Sequence, residues 1–105
     1  MIFKINNIFS YDVRGDDAFS VSLDCSFHEF KEALTLYEKD RSTLSFFLHQ
    51  KGEEYKIFTY VSHHNLEEKK TKIDFFGLAD DINGTEVDIE PEIGDYIELK
   101  EKKKG

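Results

Sequence analysis

The 105-residue sequence contains no tryptophan, one proline, one methionine and one cysteine. The single cysteine, Cys25, cannot form an internal disulfide, and no apolar run approaches the roughly 20 residues of a membrane-spanning helix. The chain also begins without the basic and apolar segments of a secretory signal. These absences predict a protein of the reducing cytoplasm that does not bind a membrane.

Motifs for catalysis or cofactor binding are missing as well. No GxSxG, HExxH, P-loop or dinucleotide fingerprint occurs, and the six glycines stand singly. Cys25 and His28 have Cys-x-x-His spacing, but strand alternation directs Cys25 into the core, away from a nucleophile's position. The adjacent His63 and His64 cannot easily aim two side chains at one zinc ion. We therefore predict no enzyme activity, no cofactor and no metal.

One segment approaches the pattern of a calcium-binding loop. Asp81, Asn83, Gly84 and Glu90 occupy positions 3, 5, 6 and 12 of such a loop. Position 1 is Ala79, which offers no carboxylate, and no helices flank the segment. The Asn-Gly pair is instead the strongest short signal for a β-hairpin, because both central residues of a type I′ turn need positive φ. The sequence predicts a hairpin here.

Basic residues are missing from a long stretch of the chain. There are 22 acidic and 14 basic side chains, for a net charge of −8, yet the stretch from Asp74 to Glu98 has nine carboxylates and neither Lys nor Arg. We expect one domain over residues 1–99 and a short basic tail over 100–105. Direct nucleic-acid binding is not expected, since it depends on Lys and Arg contacts to phosphate.

Period-two alternation dominates the sequence and predicts strands. Phe19 to Cys25 alternates apolar and polar residues, and Ile2 to Val13 is its predicted hairpin partner across Arg14–Asp17. Leu44 to Val61 has strand composition interrupted by the turn signal Gln50–Glu53. A further strand is predicted over Tyr96–Leu99.

A single helix is predicted between these strands. Ser26 and Glu29 form a capping box, and Phe27, Phe30 and Leu34 lie on one stripe of a helix that runs to Lys39. The element order is therefore two strands, a helix and five strands. We predict an α+β fold in which a strongly bent antiparallel sheet or half-barrel of six to seven strands packs against the helix.

The predicted Asn-Gly hairpin has one acidic face. A two-residue turn places Asp80 opposite Val87 and Leu78 opposite Ile89, and the other face then carries Asp81, Glu86, Asp88 and Glu90. Like charges across a strand pair cost about 0.2 to 1 kcal/mol each, so such a face implies a use or a counter-charge.

The leading functional hypothesis is an acidic inhibitor that binds another protein. Acidic surfaces speed encounter with basic partners and can occupy a groove that normally binds phosphate. Immunity proteins and antitoxins have this composition, so the expected partner is a basic protein such as a nuclease toxin, whose active site would be occluded. The predicted partner-binding residues are Asp80, Asp81, Glu86, Asp88, Glu90, Glu92, Asp95 and Tyr96.

Two other functions remain open. A small-ligand or regulatory module would enclose a pocket lined by Phe30, Phe46, Phe58 and Tyr60. An accessory subunit of a larger assembly would bind its neighbours through exposed strand edges.

Overall fold

The computed structural model describes residues 1–59 and 63–102. Its elements are β1 (Ile2–Val13), β2 (Asp16–Leu23), α1 (Phe27–Lys39), β3 (Leu44–Gln50), β4 (Glu53–Thr59), α2 (His63–Glu67), β5 (Lys72–Asp80), β6 (Glu86–Asp88) and β7 (Tyr96–Glu101). The predicted element order is confirmed. The short α2 is additional, because only one helix is predicted from the sequence. Tyr60 and Val61, predicted to end a strand, lie outside the described residues.

The strands form a closed antiparallel barrel. Six strands pair in the circular order β1, β7, β3, β4, β5 and β2, and the short β6 pairs with the end of β5. Closure depends on β2 and β5, which pair from Ala18 opposite Phe76 to Ser22 opposite Lys72. The predicted α+β fold with a strongly bent antiparallel sheet is therefore confirmed, and the bend is complete, since a closed sheet removes most exposed edges.

Alternation along the strands places the core inside this barrel. Phe46 and Leu48 of β3 point inward, whereas Phe47 between them lies on the outer surface beneath Lys100. Every barrel strand contributes inward side chains to a single cluster, which also includes residues of α1 and the segment after β6. Its members include Phe3, Ile5, Phe19, Val21, Leu23, Ile57, Ile73, Phe75, Ala79, Ile89, Ile97 and Leu99.

Helix α1 has the predicted bounds and covers one end of the barrel. The Ser26 hydroxyl accepts a hydrogen bond from the Glu29 amide at 3.1 Å, as the capping box requires. Phe30 and Leu34 are buried in the core, and the ring of Tyr37 lies 4.9 Å from that of Phe46. No helix in the described residues is long and apolar enough to cross a membrane.

Two tight turns close the opposite end. Arg14 and Gly15 join β1 to β2, and Lys51 and Gly52 join β3 to β4, with positive φ at all four residues. Such pairs form type I′ turns, whose twist matches that of the flanking strands. Both turns lie where the sequence predicted them.

The predicted register of the third hairpin is wrong by one residue. Asp80 lies opposite Glu86 and Leu78 opposite Asp88, instead of Val87 and Ile89. The Asp81 carboxylate accepts hydrogen bonds from the Asn83 and Thr85 amides, at 2.9 Å each, which stabilises a three-residue loop. Gly84 alone then takes positive φ. On the outer face of this hairpin, Glu86 and Asp88 of β6 therefore lie beside Asp80 of β5 rather than beside Asp81.

Strand β7 extends into the segment that was predicted to be a tail. Lys100 pairs with Ser45 and Glu101 with Leu44, while the Lys102 amide donates to the Thr43 carbonyl at 2.8 Å. The remaining tail residues, 103–105, lie outside the described part of the chain.

Candidate functional site

Two strands share one edge of β5, and their meeting point forms the candidate site. Residues Lys56 to Thr59 of β4 pair with one edge of β5, so β2 and β6 both pair with its opposite edge. Between them is Gly77, whose carbonyl accepts a hydrogen bond from the Ile89 amide at 2.7 Å. We call this junction the seam.

Gly77 allows the strands at the seam to approach closely. A Cβ atom at Gly77 would lie 3.3 Å from the Asp17 Cβ and 3.3 Å from the Phe19 ring. Few real contacts are tighter, so a side chain here would push β2 away from β5. Because Gly77 has no side chain, β2 lies close to β5 here, and Asp17 is next to the end of β6.

An open cleft of about 390 Å³ lies on the outer surface of the seam. Its apolar residues, Phe58, Phe76 and Leu78, come from the outer faces of β4 and β5. Its charged residues are all acidic: Asp16 and Asp17 from β2, and Glu86 and Asp88 from β6. We call this surface the acidic cleft.

A second cavity of about 730 Å³ adjoins the seam at the end of β1. Asp17, Gly77 and Asp88 line both cavities. The new lining residues include Ser10 and Asp12 of β1 and the segment after β6, namely Ile89 and Glu90. We call this space the edge groove.

The carboxylates of the seam differ from other acids of the same part of the chain because they have no cationic partner. Asp80 lies 3.5 Å from the Lys56 ammonium, and Glu92 lies 3.8 Å from that of Lys51. Within residues 1–59 and 63–102, no ion pair or side-chain hydrogen bond involves the carboxylates of Asp16, Asp17, Glu86, Asp88 and Glu90. No Lys or Arg is found among the described residues that line either cavity.

Besides Asp80 and Glu92, which face lysines, three more of the predicted binding residues lie elsewhere or have structural partners. Asp81 caps its own turn. Asp95 is only 9% exposed, and its carboxylate accepts hydrogen bonds from the Glu92 amide and the Gln50 side chain, at 2.7 and 2.8 Å. Tyr96 is 44% exposed and pairs with Lys4 of β1 and His49 of β3, on another part of the barrel. The structure thus brings Glu86, Asp88 and Glu90 to the seam.

No protein family, curated protein or solved structure matches this chain significantly.

Other residues of the seam were missed in the sequence. Asp16 and Asp17 belong to the predicted turn Arg14–Asp17, Leu78 is predicted only as a residue of the Asn-Gly hairpin, and Phe76 has no predicted role. Their proximity comes from the pairing of β2 with β5 and of β5 with β4, which join distant segments. No local pattern indicates these pairings.

A different polar cluster lies on the outer surface of β3, β4 and β7. The ligand atoms of His49, Glu54 and Glu98 lie within 4.8 Å of one another, so these residues could hold a metal ion. His49 Nε2 is 2.8 Å from a Glu98 oxygen, and the Lys100 ammonium contacts Glu54 and lies 4.0 Å from Glu98. Lys100 thus already supplies a positive charge at this position.

The predicted ligand pocket is not formed by its described members. Phe30 and Phe46 are buried in the core, whereas Phe58 is 42% exposed on the outside of the barrel. The fourth member, Tyr60, lies outside the described residues. The residues therefore do not line one cavity.

Cys25 is expected to react slowly with alkylating reagents. Burial, with the negative charges of Glu29 and Asp24, raises the pKa of its thiol from 9.0 to about 11. Since the thiolate is the nucleophile, the folded protein at pH 8 should be alkylated at least about tenfold more slowly than the chain unfolded in urea. Mass spectrometry of iodoacetamide-treated samples over time measures both rates. Equal rates would show that the fold does not suppress the thiolate.

Proposed function

We propose that this protein is a cytoplasmic inhibitor that binds a basic protein through the acidic cleft. The partner class that fits is a nuclease or another protein with a phosphate-binding groove, as neutralised by immunity proteins and antitoxins. In this proposal the protein performs no chemistry of its own. It acts by occupying the groove of its partner.

The observation that carries the proposal is the set of unpaired carboxylates around an apolar floor. The carboxylates of Asp16, Asp17, Glu86 and Asp88 line the cleft around Phe58, Phe76 and Leu78, and none of them has a cationic partner among the described residues. The ammonium of Lys56 lies 5.3 Å from the centre of the Phe58 ring, but it pairs with Asp80. Like charges that lie close together lower the stability of the fold. Without a partner, the protein carries this cost uncompensated. A basic partner would supply the missing counter-charges and relieve it.

The arrangement suits occlusion of a groove that binds nucleic acid. Lysine and arginine side chains that normally hold phosphate can form charge-assisted hydrogen bonds to carboxylates. An apolar centre such as Phe58 and Leu78 excludes water and strengthens the contacts around it. The net charge of −8 also attracts a basic protein before contact, which raises the association rate.

Affinity capture with a salt gradient tests this function. The full chain, immobilised through an added tag, is exposed to a lysate of the source organism, and bound proteins are eluted with rising salt and identified by mass spectrometry. We expect a stoichiometric basic protein whose elution is salt-dependent, since salt screens exposed charge pairs. Adding the purified protein should then abolish that partner's nucleic-acid-processing activity.

An unrelated acidic protein of equal net charge serves as the control bait. It should capture polycationic proteins without selectivity and should not inhibit the identified partner. The proposal is contradicted if both baits retain the same proteins, or if the captured protein keeps its full activity in the complex.

A further inference from the structure

Strand β1 has one edge that no described strand covers from Asn7 to Val13. Its first residues, Ile2 to Lys4, pair with β7, and Ile5 exchanges hydrogen bonds with Gly94 and Asp95. A register shift between Ile5 and Asn7 then turns the strand away. From Asn7 to Val13, β1 has β2 on one side and, in the part of the chain that the structure describes, no strand on the other.

The turn that joins β1 to β2 determines which backbone groups lie on this open edge. Val13 and Asp16 flank a two-residue turn, so they form a hydrogen-bonded pair, and such pairs alternate along an antiparallel ladder. Tyr11, opposite Ala18, therefore also bonds to β2. Ser10 and Asp12 direct their N–H and C=O groups away from β2, onto the open edge.

The open edge borders the edge groove and its carboxylates. Ser10 and Asp12 line that groove together with Asp17, Asp88 and Glu90. Ser10 and Asp12 lie opposite Phe19 and Asp17, so their side chains share the inner face of the hairpin. On the outer face, Phe9 is 65% exposed and its ring lies 5.9 Å from that of Tyr11. The edge thus has an acidic side and an aromatic side.

We propose that an extended segment of the basic partner adds to the open edge of β1 as a further strand. This inference rests on the proposed function, which it deepens by defining the form of the recognised segment. Backbone hydrogen bonds to Ser10 and Asp12 supply affinity, and side chains on alternate faces supply specificity.

The two faces of the edge determine the sequence that fits. Residues of the added strand that face the groove meet Asp12, Asp17, Asp88 and Glu90, so lysine and arginine are favoured there. Residues on the other face lie beside Phe9 and are apolar. The recognised segment therefore alternates basic and apolar residues, which is the period of a strand.

The test compares Ser10→Pro with Ser10→Ala. Proline at position 10 removes the N–H group that points to the open edge, and it blocks the pairing of a neighbouring strand. The hydrogen bonds between β1 and β2 are made by other residues, so the substitution leaves them in place. The probe is a short, end-capped peptide of alternating lysine and valine, and its affinity is measured by fluorescence anisotropy at low salt. We expect Ser10→Pro to weaken binding at least about tenfold and Ser10→Ala to leave it unchanged within about twofold.

Two further readouts keep the test decisive if Ser10→Pro does not fold. A peptide with N-methyl groups on alternate residues keeps the charge but cannot pair as a strand, and it should bind the unchanged protein at least about tenfold more weakly. The amide protons of Ser10 and Asp12 should exchange more slowly in the complex with the original peptide. Those of Tyr11 and Val13, which face β2, should exchange slowly with and without the peptide.

The possible results separate this inference from the proposed function. Equal binding of the methylated and original peptides, or no binding of either, would overturn strand addition. Selective capture and inhibition of a basic protein in the salt-gradient experiment would still support the acidic inhibitor. Failure of that capture, with intact edge binding of the peptide, would instead overturn the inhibitor function alone.

Discussion

Replacing Phe75 with alanine is expected to lower the free energy of unfolding by about 3 to 5 kcal/mol, because it leaves a cavity as well as removing buried apolar surface. Phe75 is 0% exposed, and its ring lies 6.0 Å from that of Phe19 across the pairing that closes the barrel. Domains of this size are stable by only about 5 to 15 kcal/mol, so little stability would remain. Urea denaturation followed by far-ultraviolet circular dichroism measures the loss.

Phe58→Ala provides the matched control for this effect. Phe58 is also a strand phenylalanine, but its side chain lies on the outer surface and fills no core space. Its replacement should change the free energy of unfolding by less than about 1 kcal/mol, as is usual for surface positions. Similar losses for the two variants would show that the barrel interior is not the main source of stability.

Changing both Glu86 and Asp88 to lysine is expected to weaken the complex with a basic partner at least about 100-fold, since juxtaposed like charges in an interface cost several kcal/mol. The two residues lie on the exposed outer face of β6 and line the acidic cleft. The dependence of the dissociation constant on salt should also become shallower. Isothermal titration calorimetry at two salt concentrations measures both quantities.

The double variant Glu32→Lys with Glu67→Lys gives the same change in net charge far from the seam. Both residues are exposed on the helices of the protein. We expect a modest effect on the association rate and little effect on the dissociation rate, because distant charges act mainly through steering. If both double variants weaken binding equally, net charge alone drives the interaction and the acidic cleft is not the contact surface.

The features predicted well from the sequence are those determined by neighbouring residues. The capping box at Ser26 specifies the start of α1, and Gly15 and Gly52 mark the two type I′ turns. Strand alternation identified Phe19, Val21 and Leu23 as the inward side chains of β2. In each case the physical cause acts within a few residues, so a local pattern contains the information.

The features that were missed or wrong depend on contacts between distant segments or on competing local bonds. Asn83 and Gly84 predicted a two-residue turn, but hydrogen bonds to the Asp81 carboxylate favour a longer loop and shift the register of β6. Asp16 and Asp17 join the site only because β2 pairs with β5. The acidic surface was therefore predicted in its charge and in part of its composition, but not in its full extent.

Closure of the barrel has a consequence for the order of events during folding and synthesis. Strand β7 lies between β1 and β3, and its pairing with β1 places Ile2 opposite Glu98, a residue far away in the sequence. Pairings between such distant residues are slow, because the entropy of a long loop is lost before any contact forms. A growing chain on the ribosome cannot complete the barrel until β7 has emerged, because β7 joins β1 to β3. The closed sheet should consequently form abruptly, once β7 is available, rather than in stages.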